Sequence, residues 1–209
     1  LVRAERLKHR SKVLMHYLTD TNLNWQLIAD KESKLKKLSD LSDKIVAMTR
    51  YSGTDLLTDM VVKKAKPKYQ VFRVQVNDVL VRLAMLQNHE IDAYWFAEPQ
   101  ITKALAGDNN ALFNSQDAGV HLGVVAVMDK VRRQEEEAAF ASAYDKAVEL
   151  INKNGVKYYS ALIQKYMKVD EAVVRSLPDI KYTKIGSPRK VDLLMARNYL
   201  NGGKIINKN

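Results

Sequence analysis

The sequence of 209 residues contains no cysteine and only four prolines, eight glycines and two tryptophans. The lack of cysteine excludes disulfide bonds, thiolate metal ligands and a cysteine nucleophile, but it does not fix the compartment. No apolar run is long enough to cross a membrane, and no signal peptide is recognisable. Because the chain begins with Leu1 rather than methionine, we expect it to be a processed or trimmed form.

Motifs of common catalytic and nucleotide-binding sites are also absent. There is no Gly-x-Ser-x-Gly elbow, no phosphate-binding loop and no dinucleotide glycine fingerprint. The spacing of the four histidines does not match a metal motif such as His-x-x-x-His; they are His9, His16, His89 and His121. No pair of carboxylates suggests general acid–base chemistry. The sequence therefore predicts no catalytic, metal or cofactor site from these motifs.

What the chain does have is positive charge, with 34 basic and 24 acidic side chains and a formal net charge of +10. Such a balance raises nucleic acid or an anionic membrane surface as a partner. The lysines are scattered, however, and those at positions 63, 64, 66 and 68 fall at a predicted helix C-terminus, where cations interact favourably with the helix dipole. We interpret them as a solvated basic surface and expect no nucleic acid partner.

Apolar periodicity predicts alternating strands and helices from residue 44 to residue 128. The predicted strands cover residues 44–48, 69–76, 93–97, 111–114 and 119–128, and helices fill residues 54–66, 78–88 and 98–107 between them. Before this region we expect a helix over residues 1–11 and a hairpin of strands 13–18 and 25–29. After it we expect helices only, over residues 135–153, 156–167, 169–177 and 187–200. The alternation predicts a mostly parallel, doubly wound α/β sheet.

Three of the predicted strands are followed by polar residues that begin a helix. These are Ser52, Gly53 and Thr54, then Asn77 with Asp78, then Glu98 with Pro99. Ligands of doubly wound sheets bind beyond the carboxyl ends of the strands, and helix starts offer unpaired N–H groups to anions. We therefore predict ligand contacts from Ser52, Gly53, Thr54, Asn77 and Glu98. The alternative for Ser52 or Thr54 is that it merely caps its helix.

Two aromatic residues are candidates for the apolar walls of this site. Tyr51 directly precedes the Ser-Gly-Thr corner, and Trp95 lies on the apolar strand before Glu98. The alternative for Trp95 is a place in the core, because it alternates with Tyr94 on a strand between layers of helices.

Three segments, taken in order, resemble a known family. Residues 35–55 read LKKLSDLSDKIVAMTRYSGTD, residues 79–99 read VLVRLAMLQNHEIDAYWFAEP, and residues 121–152 read HLGVVAVMDKVRRQEEEAAFASAYDKAVELIN. Together they resemble the corner, the Glu-Ile-Asp-Ala strand with Glu-Pro, and the return strand of type II periplasmic solute-binding proteins. The similarity is to the branch of ABC importers for nitrate, sulfonates and thiamine precursors. His89 stands where that pattern has glycine, which affects only a turn.

The resemblance implies two lobes with a ligand captured between them, and no chemistry. Residues 33–122 would form a complete lobe, and residues 1–32 with 123–209 a partial lobe that lacks its first strands. Expected partners are a small polar or anionic ligand and the membrane permease, with self-association through the incomplete lobe. The expected location is the periplasm or the outer face of the cytoplasmic membrane, as a lipoprotein. Alternatives with the same fold are a menaquinone- or pyrimidine-precursor enzyme and the effector domain of a transcription regulator.

Overall fold

The computed structural model describes residues 1–11, 15–21 and 23–202. Backbone contacts divide the chain into two compact units. The central unit is Asn24–Val120, and the terminal unit combines Leu1–Leu23 with His121–Asn209.

The central unit alternates strands with helices, as predicted. Its strands are β2 (Gln26–Ala29), β3 (Ile45–Met48), β4 (Phe72–Gln75), β5 (Ala93–Phe96) and β6 (Asn110–Asn114). Its helices are α2 (Gly53–Ala65), α3 (Val79–Gln87) and α4 (Gln100–Leu105), and short 3-10 turns precede β3.

These five strands form one sheet in the order β4-β3-β5-β2-β6. Strand β3 pairs in parallel with β4 and β5, whereas β2 runs antiparallel to β5 and β6. Four strands therefore share one direction, which confirms a mostly parallel sheet with β2 as the exception. All four residues of β5 are fully buried, as expected for a central strand covered by helices on both faces.

The terminal unit is mainly helical. Its elements are α1 (Val2–Ser11), β1 (Met15–Thr21), β7 (Gly123–Met128), α5 (Gln134–Asn154), α6 (Ser160–Met167), α7 (Glu171–Ser176) and α8 (Lys190–Gly202). Strands β1 and β7 form an antiparallel two-stranded sheet in which Met15 faces Met128 and Thr21 faces Gly123. No helix in the described part of the chain combines the length and apolarity needed to cross a membrane.

The hairpin predicted for strands 13–18 and 25–29 is wrong. Strand β1 pairs with β7 about a hundred residues later, and β2 pairs with β5 and β6 in the other unit. The polar residues 19–24 suggested a tight turn between two paired strands, but each strand forms its backbone hydrogen bonds with a strand far away in the sequence. The division predicted at residues 33 and 122 placed β2 with the terminal segments, whereas the sheet places β2 in the central unit.

Candidate functional site

The carboxyl ends of β3, β4 and β5 lie along one edge of the central sheet, which we call the carboxyl edge. The three strands are parallel neighbours, with Met48 opposite Gln75 and Ala47 opposite Tyr94. Residues 49–54, Asn77 and Glu98 follow these strands, so all three predicted polar groups meet this edge. The three polar groups therefore lie at the strand ends where the sequence placed them, and ligand binding at this edge stays a prediction.

The Ser-Gly-Thr corner is a closed hydrogen-bond cycle at the start of α2. Ser52 is the N-cap, and its Oγ accepts the Thr54 N–H at 3.2 Å while donating to the Thr49 carbonyl at 2.6 Å. Thr54 Oγ1 accepts the Thr49 N–H at 3.0 Å and lies 2.9 Å from Ser52 Oγ. Since the Ser52 proton goes to a carbonyl, the Thr54 hydroxyl must donate to Ser52.

Both hydroxyl protons are therefore used within the corner. Thr54 is also buried, with 3% of its surface exposed. What the corner offers to a ligand in this conformation is the N–H of Gly53, the first residue of the helix, together with the positive end of the helix dipole. Ser52 therefore caps α2, which is the alternative that the sequence left open. For either hydroxyl to donate to a ligand, its proton would have to leave its present acceptor in the corner.

A buried carboxylate holds the loop that carries Tyr51. The Tyr51 N–H donates to Asp55 Oδ2 at 2.9 Å, and Arg73 Nη1 of β4 donates to Asp55 Oδ1 at 3.0 Å. Tyr51 has a positive φ of 57°, an uncommon conformation that this bond helps to hold. Its side chain is 40% exposed, as a pocket wall requires.

Asn77 and Glu98 occupy the two flanking strand ends. Asn77 is exposed, and its Oδ1 accepts from Gln75 Nε2 at 3.2 Å, while Asp78 caps α3 by accepting from Leu80 and Val81. Glu98 Oε2 accepts the N–H and hydroxyl of Thr102 in α4, at 3.2 and 2.8 Å. Glu98 thus satisfies the start of α4, and ligand contact by either residue stays a prediction.

Trp95 does not line an open pocket. Its side chain is fully buried, its Nε1 donates to Thr58 Oγ1 of α2 at 2.9 Å, and its ring meets Phe113 edge-on. The prediction of Trp95 as a wall is therefore corrected to its alternative, a core residue. Both faces of β5 are covered, so alternation along the strand leaves neither Tyr94 nor Trp95 exposed.

Arg82, a buried arginine of α3 beside the carboxyl edge, was not predicted from the sequence. It is 4% exposed, and its Nη1 donates to the Trp95 carbonyl at 2.7 Å, where β5 has run past its last ladder pair with β3. Among the described residues no carboxylate lies within 4.0 Å of its guanidinium, and its buried Nε has no hydrogen-bond partner. Burial lowers the pKa of Arg82, and the charge of Asp78 offsets part of that effect.

A signal for Arg82 was present in the sequence. Val79, Arg82, Leu83 and Leu86 have the spacing i, i+3, i+4 and i+7 of one helix face, and Arg82 is the charged member of this apolar stripe. A charge at a core position is unusual unless it is paired or functional.

Strand β2 and the end of β6 add further polar groups to the carboxyl edge. Ser115 is buried, its Oγ accepts the Trp25 N–H at 2.9 Å, and its N–H donates to the Trp25 carbonyl at 2.9 Å. These bonds join the start of β2 to the residue after β6. Within the described ranges, no group of three or more histidine, aspartate or glutamate side chains could hold a metal ion.

Comparison with known proteins gives structural neighbours only, because no protein-family model and no curated protein sequence matches this chain. The periplasmic aliphatic sulphonate-binding protein SsuA of Escherichia coli aligns with a TM-score of 0.76 at 16% identity, over 98% of this chain and 73% of that one. The ligand-binding component of an ABC-type import system from Staphylococcus aureus, with zinc bound, aligns with a TM-score of 0.74 at 18% identity, over 97% and 73%.

The alkanesulfonate-binding protein SsuA of Xanthomonas axonopodis pv. citri, bound to MOPS, aligns with a TM-score of 0.66 at 15% identity, over 93% and 70%. At these identities the likeness shows the fold. The chain thus has the α/β fold of these periplasmic binding proteins, as the resemblance of the three segments predicted. These neighbours are binding proteins of import systems rather than enzymes.

Proposed function

We propose that this chain is the solute-binding component of an ABC importer and captures a small organic anion at the carboxyl edge of its central unit. The observation that carries the proposal is the fold, which aligns over 98% of the chain with a sulphonate-binding protein. A polar carboxyl edge and a chain without recognisable catalytic motifs agree with capture and release rather than chemistry. The chain would work outside the cytoplasmic membrane and deliver its ligand to a permease.

Arg82 and the start of α2 supply the preference for an anion. A buried guanidinium without a carboxylate partner is costly, and an anionic group brought to the edge would lower that cost. The N-terminus of α2 adds the Gly53 N–H and a partial positive charge. Glu98 and Asn77 would orient donor groups on the rest of the ligand, and Tyr51 would contact its apolar part.

Native mass spectrometry of the purified protein would first show any ligand it retains. Isothermal titration calorimetry with ethanesulfonate, MOPS and a neutral aminopyrimidine then separates anions from neutral donors. We expect a sulfonate to bind and the neutral aminopyrimidine to bind at least tenfold more weakly, because a charge-assisted contact is lost. A protein that binds the aminopyrimidine better would contradict the anion preference, and turnover of a bound compound would favour an enzyme.

Variants of two residues test the assigned edge. Arg82→Met keeps the volume of the side chain and removes its charge, so we expect sulfonate affinity to fall at least tenfold. Arg175→Met removes an equal charge from an exposed helix of the terminal unit and serves as the control. Thr54→Ala breaks the hydrogen-bond cycle of the corner and is expected to weaken binding as well. Unchanged affinity in Arg82→Met and Thr54→Ala would place the ligand elsewhere.

A further inference from the structure

A second feature of the central unit lies along the outer side of β4. A groove of about 850 Å³ is bounded there by the end of α2, the following loop and β4 itself. We call it the β4 groove. Its lining includes four cationic side chains and two aromatic ones: Arg50, Lys66, Lys68, Arg73, Tyr69 and Phe72.

Strand β4 leaves one edge of its backbone open. It is the first strand in the sheet order and has β3 as its one neighbour among the described strands. The N–H of Phe72 donates to the carbonyl of Lys44, just before β3, at 2.8 Å, and the N–H of Val76 donates to the carbonyl of Met48 in β3 at 3.0 Å. Because alternate residues of a parallel strand face the same neighbour, the N–H and C=O groups of Arg73 and Gln75 face away from β3. An open edge of this kind accepts an added strand.

Around this edge, cationic side chains outnumber the carboxylates that pair with them. Arg73 is paired with Asp55 and Asp59 of α2, at 3.0 and 2.6 Å. In the described chain no carboxylate lies within 4.0 Å of the charged groups of Arg50, Lys66 and Lys68. The groove therefore keeps an excess of positive charge next to an open strand edge, which is complementary to an acidic segment.

Two aromatic side chains complete the surface. Tyr69 is 58% exposed and Phe72 is 45% exposed, and Lys68 Nζ lies 5.1 Å from the centre of the Tyr69 ring. Side chains of an added strand would alternate between the groove and solvent, so an apolar residue could contact these rings while acidic residues meet the lysines. A second copy of β4 would bring like charges together, which disfavours edge-to-edge pairing of this chain with itself.

We propose that the β4 groove binds an extended acidic peptide segment of a partner protein, which adds to β4 as an extra strand. The backbone of Arg73 and Gln75 supplies the ladder, and Arg50, Lys66 and Lys68 select the acidic sequence. This surface borders the carboxyl edge at Arg50, in the loop after β3, and extends from there along the outer side of β4. The inference does not depend on the identity of the transported ligand.

Titration of the protein with capped peptides tests the proposal directly. One peptide alternates glutamate with valine, a second replaces each glutamate by lysine, and a third repeats the first with alternate backbone nitrogens methylated. We expect the acidic peptide alone to bind at low salt, with weaker binding as salt rises. Equal binding of the lysine peptide or the methylated peptide would overturn the proposal, and so would a short single-stranded DNA that binds when the acidic peptide does not.

Variants then locate the peptide. The double change Arg50→Glu and Lys68→Glu turns two attractions into repulsions and is expected to weaken binding about tenfold. The double change Lys36→Glu and Lys153→Glu reverses two exposed charges outside the groove, is the matched control and should bind as the parent does. Equal affinity of the two double variants would overturn the assigned surface.

A change in the strand itself tests the ladder. Gln75→Pro removes an outward N–H without removing a bond to β3, and proline is tolerated on edge strands. Gln75→Ala loses the same side chain but keeps the N–H. We expect the acidic peptide to bind Gln75→Ala about tenfold more tightly than Gln75→Pro, because proline removes a ladder bond and blocks close approach. Equal affinities would overturn the added strand, and the methylated peptide decides the matter if Gln75→Pro does not fold.

Discussion

The two units bury different kinds of groups. The central unit is built on a five-stranded sheet whose middle strand β5 is entirely buried, and Trp95 packs within it. The terminal unit has a two-stranded sheet, and many large apolar side chains of its helices are exposed, among them Phe140, Tyr158, Leu162, Tyr166, Val191 and Leu194. The central unit thus relies on an apolar core, and the terminal unit has fewer such contacts.

Buried charge takes a different part in each unit. In the terminal unit Glu5 is 1% exposed and joins α1 to α8 through Arg197 Nε at 2.8 Å. Asp192, also 1% exposed, accepts the His121 N–H at 3.3 Å and pairs with Arg189. These carboxylates connect chain segments that are far apart in sequence. In the central unit the buried charges Asp55 and Arg82 lie at the carboxyl edge, where Asp55 accepts the Tyr51 N–H and Arg82 donates to the Trp95 carbonyl.

The largest expected effect tests the apolar core of the central unit. Trp95→Ala should lower the free energy of unfolding by about 4 kcal/mol, because a large buried ring and its bond to Thr58 are lost. Hydrogen exchange followed by mass spectrometry would show the loss of protection in each unit. The control is Thr58→Val, which removes the hydrogen bond and keeps most of the packing, at a cost of about 1 kcal/mol. Loss of protection only in the terminal unit would contradict the role of Trp95 in the apolar core of the central unit.

The second effect tests the buried charge of the terminal unit. Glu5→Ala should cost about 3 kcal/mol, because the Tyr17 hydroxyl and Arg197 lose their shared acceptor and a cavity remains. Urea unfolding at neutral pH measures the change. The control is Glu136→Ala, at an exposed position of α5, which should change stability by less than about 0.5 kcal/mol. Similar values for both variants would show that the Glu5 cluster does not hold the unit together.

A third effect concerns the ladder between β1 and β7. A Cβ added at Gly123 would lie 2.0 Å from Thr21 Oγ1 and 2.8 Å from Leu23 Cβ, and the second contact requires the chain itself to shift. Gly123→Ala should therefore cost about 2 kcal/mol, with exchange rising first in β1 and β7. Gly202→Ala, where nothing lies within 4 Å, is the control. A Gly123→Ala protein with parental stability would mean that the ladder adapts without cost.

Element types were predictable because they depend on local patterns. Strand β3 followed by α2 combines an apolar run with an N-capping serine, and His89 adopts the positive φ of 57° of the turn where the family pattern has glycine. Strand pairing was not predictable for β1 and β2, since their partners lie far along the chain. A polar turn between two strands suggests a hairpin only when no better partner exists.

At the candidate site, too, contacts between elements that are distant in the sequence were not predictable. The polar edge followed from three parallel strands, and their positions are confirmed. Trp95 was misplaced because a strand that is covered on both faces buries alternate residues alike. The apolar stripe that includes Arg82 was visible in the sequence, but the bond from Arg82 to the Trp95 carbonyl joins a helix to a strand and is a tertiary property. The hydrogen-bond cycle of Ser52 and Thr54 likewise depends on the fold of the Thr49 backbone.

The smallest expected effect is a pH dependence that belongs to the terminal unit. Burial alone would raise the pKa of Glu5, but hydrogen bonds from Arg197 and Tyr17 and the charges of Arg197 and Lys8 outweigh it, so the pKa lies below its ordinary value of 4.5. A carboxylate with a lowered pKa in the folded state stabilises above its unfolded pKa, and this contribution is lost as pH falls through the folded pKa. The stability difference between the parent and Glu5→Gln should be constant at neutral pH and shrink below about pH 4.5. Urea unfolding of both proteins across this range measures it, and a difference that grows on acidification would contradict the sign.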